Sequence, residues 1–427
     1  MPRKDYVWSI DDPPEIAPHS LAKHRILREY VQEYIRVLTA DPRSDRLRLT
    51  LVDGFAGGGI YVDPRTGLSQ AGSPTILLDA VRAAEATANL NRAKPLHVDA
   101  RYFFVDRDAG AVACLGEVLK RRSDWGAEQG KVQLLEGEFE AHLDAIIAAV
   151  KGRGRAWRSI FVLDQYGYTA APPALLRRIF ENLPNAEVFL TLAVGWVAAY
   201  LPDLRTAADK IGIGQDVLDR VAGFGEDGPS IADDAERPTL QRLQVLLKEA
   251  FTTTIGSTFY TPFFIISRES NRSYWFLHMA NSARANDVVK TLHWNVENHF
   301  EHFGGAGLAM LGYDPSRDPE VTGQAVLPFL FDDVARCRTS SALVESLAAR
   351  IARDYPGGVS FDSLFAQVCN ETPATKAMLA LAVGDLCVAR ELEKRGANGE
   401  RRAPTTAAKG DDLIRLSRQR SLFAKRR

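Results

Sequence analysis

Cysteine is scarce. Cys114, Cys337, Cys369 and Cys387 are scattered through 427 residues without metal-ligand spacing, which fits reduced core thiols and not a disulfide framework. Long apolar runs are missing too: no stretch reaches the ~18 apolar residues of a membrane span, and the start Met1-Pro2-Arg3-Lys4-Asp5 has no secretory core. A soluble, cytoplasmic protein with no membrane partner is expected. Neither charge sign prevails, with 53 Lys+Arg against 54 Asp+Glu, yet residues 388–427 carry twelve basic and five acidic side chains, a local balance of 12 − 5 = +7. That end is the expected contact for an anionic partner. What is present is an ordinary globular composition, 46% apolar and 25% charged, on a chain long enough for two or three domains.

The chain is organised around Leu49-Thr50-Leu51-Val52-Asp53-Gly54-Phe55-Ala56-Gly57-Gly58-Gly59. A short apolar strand runs into an acidic residue and a glycine turn, the pattern found where a nucleotide-like ligand meets the end of a buried parallel strand. Before it, residues 1–45 read as an arm containing Trp8 and a helix. Its apolar positions Leu27, Tyr30, Val31, Tyr34, Ile35 and Leu38 recur at helical spacing, Ser20 is the expected cap, and Lys23 and His24 lie in the first turns. After the turn, Ile60 to Ser73 delays the helix Thr75 to Glu85 and is expected to fold over the mouth of the site.

Further strands each end in an acid. Arg101 to Val105 leads into Asp106, placed to accept two ribose hydroxyls, with Asp108 as its rival. Val132 to Leu135 leads to Glu138 and Phe139. The continuously apolar strand Ser159 to Leu163 ends in Asp164-Gln165-Tyr166-Gly167. A carboxylate followed by an aromatic can hold an exocyclic amine with its lone pair aimed at a methyl donor while the ring fixes a base plane. A helix Pro173 to Glu181, a fifth strand Glu187 to Leu192, a helical region over 196–255 and an antiparallel pair, Thr261 to Arg268 and Ser273 to Asn281, complete a core over 46–300. His293, Glu297, His299 and His302 suggest a metal at first sight, but a His-x-x-His pair supplies two ligands and no metal is expected.

The order acidic-x-Phe-Ala-Gly-x-Gly resembles motif I of class I S-adenosylmethionine-dependent methyltransferases, and Asp164-Gln165-Tyr166 resembles the Asp-Pro-Pro-Tyr element of amine methyltransferases, with Gln165 at the expected proline. In that class an acid beyond the third strand receives the adenine amine beside an apolar side chain, the roles implied for Glu138 and Phe139. Taken with Ala22-Lys23-His24, Gly72-Ser73-Pro74 and Tyr274-Trp275-Phe276-Leu277, the chain resembles the three-Cys-motif partner protein family. That resemblance implies a Rossmann-like α/β methyltransferase core, S-adenosylmethionine as cofactor, cofactor contacts at Asp53, Phe55, Ala56, Gly57, Gly59 and Asp106, and catalytic roles for Asp164 and Tyr166. Lys23, His24 and Ser73 share the matched blocks without an assigned role. It also raises a partner protein bearing three cysteines, a motif this chain lacks.

After a linker expected over 301–335, residues 336–427 show three helical patterns, Ser341 to Asp354, Ser360 to Cys369 and Thr375 to Arg390, then a basic hairpin around Asn398-Gly399. Three helices and a hairpin describe a winged helix. Lys376, Arg395, Arg401 and Arg402 are its candidates for nucleic-acid phosphates. A protein-docking winged helix is the alternative, because Ala377 to Cys387 is apolar and poor in base-reading side chains.

Overall fold

The computed structural model describes residues 6–154, 157–165, 171–192, 255–267, 272–295, 301–302, 308, 329–330 and 332–417. Tyr166, Glu297, His299 and all but the last residue of the region expected over 196–255 lie outside that set. The chain divides into two compact units, residues 1–227 with 249–292 and residues 228–248 with 293–427. The second therefore takes in the stretch 301–335 read as a linker.

In the first unit, α1 (Pro18–Leu38) starts with proline at its first position, where the missing N–H costs nothing, and its cap is Ala17 and not Ser20. There follow β1 (Arg46–Asp53), the short hairpin β2 (Ile60–Val62) and β3 (Ser69–Ala71), α2 (Ser73–Asn89), β4 (His97–Asp106), α3 (Ala109–Lys120) and α4 (Trp125–Glu128). After them come β5 (Val132–Glu136), α5 (Phe139–Lys151), β6 (Arg158–Leu163), α6 (Pro173–Asn182), β7 (Ala186–Leu192), β8 (Phe259–Ser267) and β9 (Arg272–Ala280). The strands run in the order β5-β4-β1-β6-β7-β9-β8. The first five are parallel, while β9 lies antiparallel to both β7 and β8. This mostly parallel α/β sheet with a closing antiparallel pair is the order of the class I methyltransferase fold. All seven residues of β7 are buried, as a strand covered on both faces requires.

Register fixes the site. Asp53 pairs with Phe104 of β4 and with Val162 of β6, so Asp106 and Asp164 stand two residues further along on either side of it. Three carboxylates thus share one strand-end rim, at the point where the chain crosses from one half of the sheet to the other.

Helix α1 is fixed against the sheet by a buried polar cluster: the Tyr30 hydroxyl donates to Glu187 Oε2, and His278 Nε2 lies 3.0 Å from the same oxygen. Lys23 precedes Tyr30 by seven residues, two turns on the same helix face, so the anchor that positions Tyr30 also aims Lys23 at the sheet. From Glu187, β7 climbs toward Thr191 as α1 runs back toward Lys23, which brings the lysine level with the rim.

Helix α7 (Ala283–Asn295) follows β9, and the unit boundary falls within it, after Leu292. The second unit holds a short antiparallel pair, β10 (Glu301–His302) with β11 (Phe329–Leu330), then α8 (Asp333–Asp354), β12 (Val359–Ser360), α9 (Phe361–Val368), α10 (Lys376–Val388), β13 (Leu392–Arg395) and β14 (Leu413–Leu416). Asp332, Ser360 and Thr375 cap α8, α9 and α10 by accepting from the amides of Ala335, Ser363 and Met378. Three helices over a β12-β14-β13 sheet make a winged helix.

The wing extends one expectation. The hairpin at Asn398-Gly399 forms, with Gly399 at φ 81° and Arg395 bridged to Arg401 across the turn, and the strand that pairs β13 throughout is β14, beyond a loop that runs past Pro404. The Lys394 side chain is buried under that loop and donates to the carbonyls of Pro404, at 2.9 Å, and Thr406.

Candidate functional site at the strand ends

Asp53 is fully buried. Its Oδ1 accepts the Phe55 amide at 3.1 Å, which shapes the turn, while its Oδ2 has no hydrogen-bond partner. A buried carboxylate oxygen left unpaired costs free energy that a bound donor would recover. Burial, helped by the nearby charges of Asp164 and Asp106, pushes the Asp53 carboxyl up to about 7; the Phe55 amide and the Ser73 hydroxyl, close by without completing a bond to Oδ2, temper the rise. Gly57 and Gly59 sit at φ 59° and 75°, backbone that glycine adopts without strain. The Gly57 amide donates to Asp106 Oδ2 at 2.8 Å and the Asp108 amide to Asp106 Oδ1 at 2.9 Å. Asp106 therefore ties the turn to β4 and keeps a second lone pair on each oxygen for a hydroxyl donor. Its rival Asp108 caps α3 by accepting the Gly110 amide at 2.8 Å.

Across the rim, Lys23 Nζ lies 2.5 Å from both carboxylate oxygens of Asp164, an ion pair spanning 141 residues of sequence. Lys23 is 6% exposed, and the Asp164 side chain retains 32% exposure. Burial alone would raise the Asp164 carboxyl, but the Lys23 ammonium more than offsets it and holds the group below the usual carboxylate range. The neighbouring His24 goes the other way: burial and the Lys23 charge bring its imidazole down to about 4, so it is neutral at pH 7 with Nδ1 unpartnered. Gln165, where proline was expected, is 3% exposed; its Oε1 accepts the Ala171 amide at 2.9 Å and its Nε2 is unpartnered. The side chain thus ties Ala171 back to the end of β6. Unpaired buried atoms from Asp53, His24, Gln165 and Thr191 gather on these elements, the pattern of a polar site whose ligand supplies the missing partners.

Two aromatic residues that sequence reasoning did not place belong here. The indole of Trp8 lies against the glycine turn, so close that a Cβ built on Gly57 would stand 2.9 Å from it. Tyr61 meets Trp8 edge-on at 5.2 Å and stands 6.2 Å from His24. The β2–β3 hairpin carrying Tyr61 is paired with the arm through Ile16 N to Val62 O (2.9 Å) and Val62 N to Pro14 O (3.0 Å). The only sequence signals were an isolated Trp in an acidic arm and the delayed second helix.

The expected adenine-side pair separates. Glu138 is exposed and faces Arg107 at 3.5 Å. Phe139 is 2% exposed and packs beneath Gly54, whose built Cβ would come within 3.0 Å of the ring. This corrects the expectation that Phe139 faces a ligand: α5 begins at this residue and turns it into the core. Phe55, next to the glycine turn, is half-buried and 6.4 Å from Phe139, while Ala56 is buried in the turn.

In the winged helix the four candidate cations divide. Lys376 pairs with Asp362 at 2.5 Å, Arg395 with Glu393 at 3.4 Å, and Arg402 with Asp412 at 3.1 Å and Glu400 at 3.2 Å. Arg401 is exposed with no ion pair among the described residues. The outward face of α10 presents Ala377, Leu381, Asp385 and Val388, with Leu381 69% and Val388 60% exposed. Of the +7 balance, residues 388–417 supply seven basic and five acidic side chains, 7 − 5 = +2, and the rest lies beyond the described residues.

Residues 312–399 match the model of the GMT-like wHTH domain. Among solved structures, a protein from Legionella pneumophila strain Philadelphia 1 matches at 11% identity and TM-score 0.35, over 62% of this chain and 90% of that one. A putative O-methyltransferase from Klebsiella pneumoniae matches at 14% identity and TM-score 0.29, over 62% and 91%. A putative class I S-adenosylmethionine-dependent methyltransferase from Listeria monocytogenes matches at 10% identity and TM-score 0.24, over 62% and 61%. No curated protein matches the chain. With TM-scores below 0.5, the fold assignment stands on the chain's own strand order.

Proposed function

We propose that this chain is a cytoplasmic S-adenosylmethionine-dependent methyltransferase that acts on an exocyclic amine of a nucleic-acid base. The observation that carries the reading is the buried, unpartnered Oδ2 of Asp53 at the mouth of a positive-φ glycine turn, with Asp106 and Asp164 on the same rim. An ammonium group satisfies Asp53, ribose hydroxyls suit Asp106, and Phe55 offers an apolar face. When bound, the cofactor supplies an electrophilic methyl carbon. Asp164, kept ionised by Lys23, accepts from the substrate amine and orients its lone pair, and no strong base is needed if the proton leaves after attack. Neutral His24 is a local acceptor for that proton. Tyr166, beyond the described residues, is proposed to stack on the base. Incubating the protein with methyl-labelled cofactor and separate DNA, RNA and protein pools tests the reading: label on a nucleobase nitrogen supports it, and label confined to protein or absent from all pools removes it.

Cation binding at Asp53 has a pH signature. The carboxyl is mostly protonated below about 7 and must ionise to take an ammonium, so cofactor affinity rises by up to about tenfold per unit as pH approaches 7 and then levels off. The same raised value makes folding stability fall as pH climbs from 3.8 to about 7, since the folded state holds the proton longer. Calorimetric affinities that stay flat from pH 5.5 to 8 would rule out this pairing.

A second reading is favoured by the apolar and acidic outer face of α10: the winged helix docks a protein, such as a three-Cys-motif partner, and the core serves as an adaptor. Arg401→Glu and Arg402→Glu separate the two. If the wing contacts nucleic acid, Arg401→Glu weakens duplex binding and lowers the salt slope by about one phosphate equivalent without changing the melting midpoint. Arg402→Glu, which sets a carboxylate against Asp412 and Glu400, lowers the melting midpoint under either reading. An unchanged salt slope in Arg401→Glu favours docking.

A further inference from the structure

The opposite end of the sheet carries a second concentration of charge, of the other sign. Arg48 lies five residues before Asp53 on β1, about 17 Å from the carboxylate rim at the usual rise per residue. In the parallel register Arg48 pairs with Asp99 and Thr50 with Arg101, so all four side chains share one face of the sheet. Arg153, just beyond α5, reaches over that face. Its Nη1 donates to Leu49 O at 2.8 Å, and its Nη2 donates to Asp99 O at 2.6 Å and sits 2.7 Å from Asp99 Oδ1. Asp99 also takes Arg46 at 2.7 Å. One carboxylate therefore pairs with two of the four guanidinium groups, Arg46 and Arg153, and Arg48 and Arg101 have no ion pair or side-chain hydrogen bond among the described residues. Burial and the repulsion of Arg101 and Arg48 push Arg153 down, against the pull of Asp99.

These groups border a half-open hollow. Its volume is about 460 Å³ and its lining includes Arg48, Asp99, Arg101, Phe103, Gln133 and Arg153, within the size range of small-ligand sites. A second cavity of about 310 Å³ shares Arg48 and is bounded by Arg158, which likewise has no ion pair among the described residues. The planar forks of guanidinium groups match phosphoryl oxygens two at a time.

The geometry points to an anion site in which Arg48 and Arg101, with the pinned Arg153 as its wall, bind the phosphoryl group of a phosphate ester. The site is independent of the strand-end carboxylates. Inorganic pyrophosphate is the probe, titrated into the full chain by calorimetry at low ionic strength. Saturable binding is expected, weakened at least tenfold by Arg48→Gln/Arg101→Gln. Gln133→Glu, which keeps every arginine and adds a carboxylate at an exposed wall position, is expected to weaken it comparably and carries the test should the double variant fail to fold. A single-stranded oligonucleotide without terminal phosphates identifies the source: competition with pyrophosphate assigns the site to a nucleic-acid backbone, and failure to compete assigns it to a small phosphorylated compound. Absence of saturable binding in the parent, or undiminished affinity in the folded variants, overturns the proposal.

Discussion

Replacing Gly57 by valine is expected to reduce S-adenosylmethionine affinity by at least about 100-fold, to the limit of calorimetric detection. Two causes converge. At φ 59° a β-branched residue is strained by roughly 1–3 kcal/mol, and a Cβ there meets the Trp8 ring at 2.9 Å. The backbone escapes by rotating, which withdraws the Gly57 amide from Asp106 and moves the turn away from Asp53. Trp8→Ala separates the causes. If the indole contact dominates, Gly57→Ala regains affinity when Trp8→Ala makes room; if the dihedral dominates, it does not. A Gly57→Val protein that binds the cofactor as tightly as the parent would remove the turn from the site.

Much of this rim was legible because each βα unit repeats one grammar: an apolar strand, an acidic end, a helix. That repetition offered Asp53, Asp106 and Asp164 as strand-end acids, and the parallel register sets their strands side by side. The residues that complete the rim follow no local rule. Lys23 and Asp164 are 141 positions apart, and their pairing depends on Tyr30 and Glu187 fixing the helix rotation. Trp8 reaches the glycine turn through the pairing of its arm with β2. Phe139 illustrates the converse: adjacency to an acidic strand end suggested a ligand contact, but one residue of helical advance turned the ring inward. The wing was half visible, since the Asn398-Gly399 turn has a signature and β14, with its partner some twenty residues away, has none. Arg48, Asp99 and Arg101 belong to no sequence motif, and only register puts them on one face.

Asp164→Ala is expected to lower methyl-transfer turnover by roughly 10²–10³-fold, as for other preorganised polar contacts, with cofactor affinity barely changed. Asp164→Asn keeps an acceptor oxygen and loses the charge, so its loss is smaller. The Lys23 ion pair sharpens the comparison. In Asp164→Ala the lysine is left buried at 6% exposure without its anion, and part of any loss could come from its rearrangement. Lys23→Met tests this: without the ammonium, burial raises the Asp164 carboxyl, and the loss of turnover becomes pH-dependent, largest at low pH and relieved as the carboxyl ionises. A purely structural role for the pair would lower the melting midpoint and leave the pH profile of turnover unmoved. The double variant Lys23→Met/Asp164→Ala, which leaves neither charge stranded, should recover stability but not activity. Tyr166→Leu should weaken substrate binding more than Tyr166→Phe, because stacking needs the ring and not the hydroxyl. Full methylation by Asp164→Ala, or a methyl group found on carbon, would mean that Lys23 and Asp164 serve to tie α1 to the end of β6 and that the reacting amine is oriented by other groups.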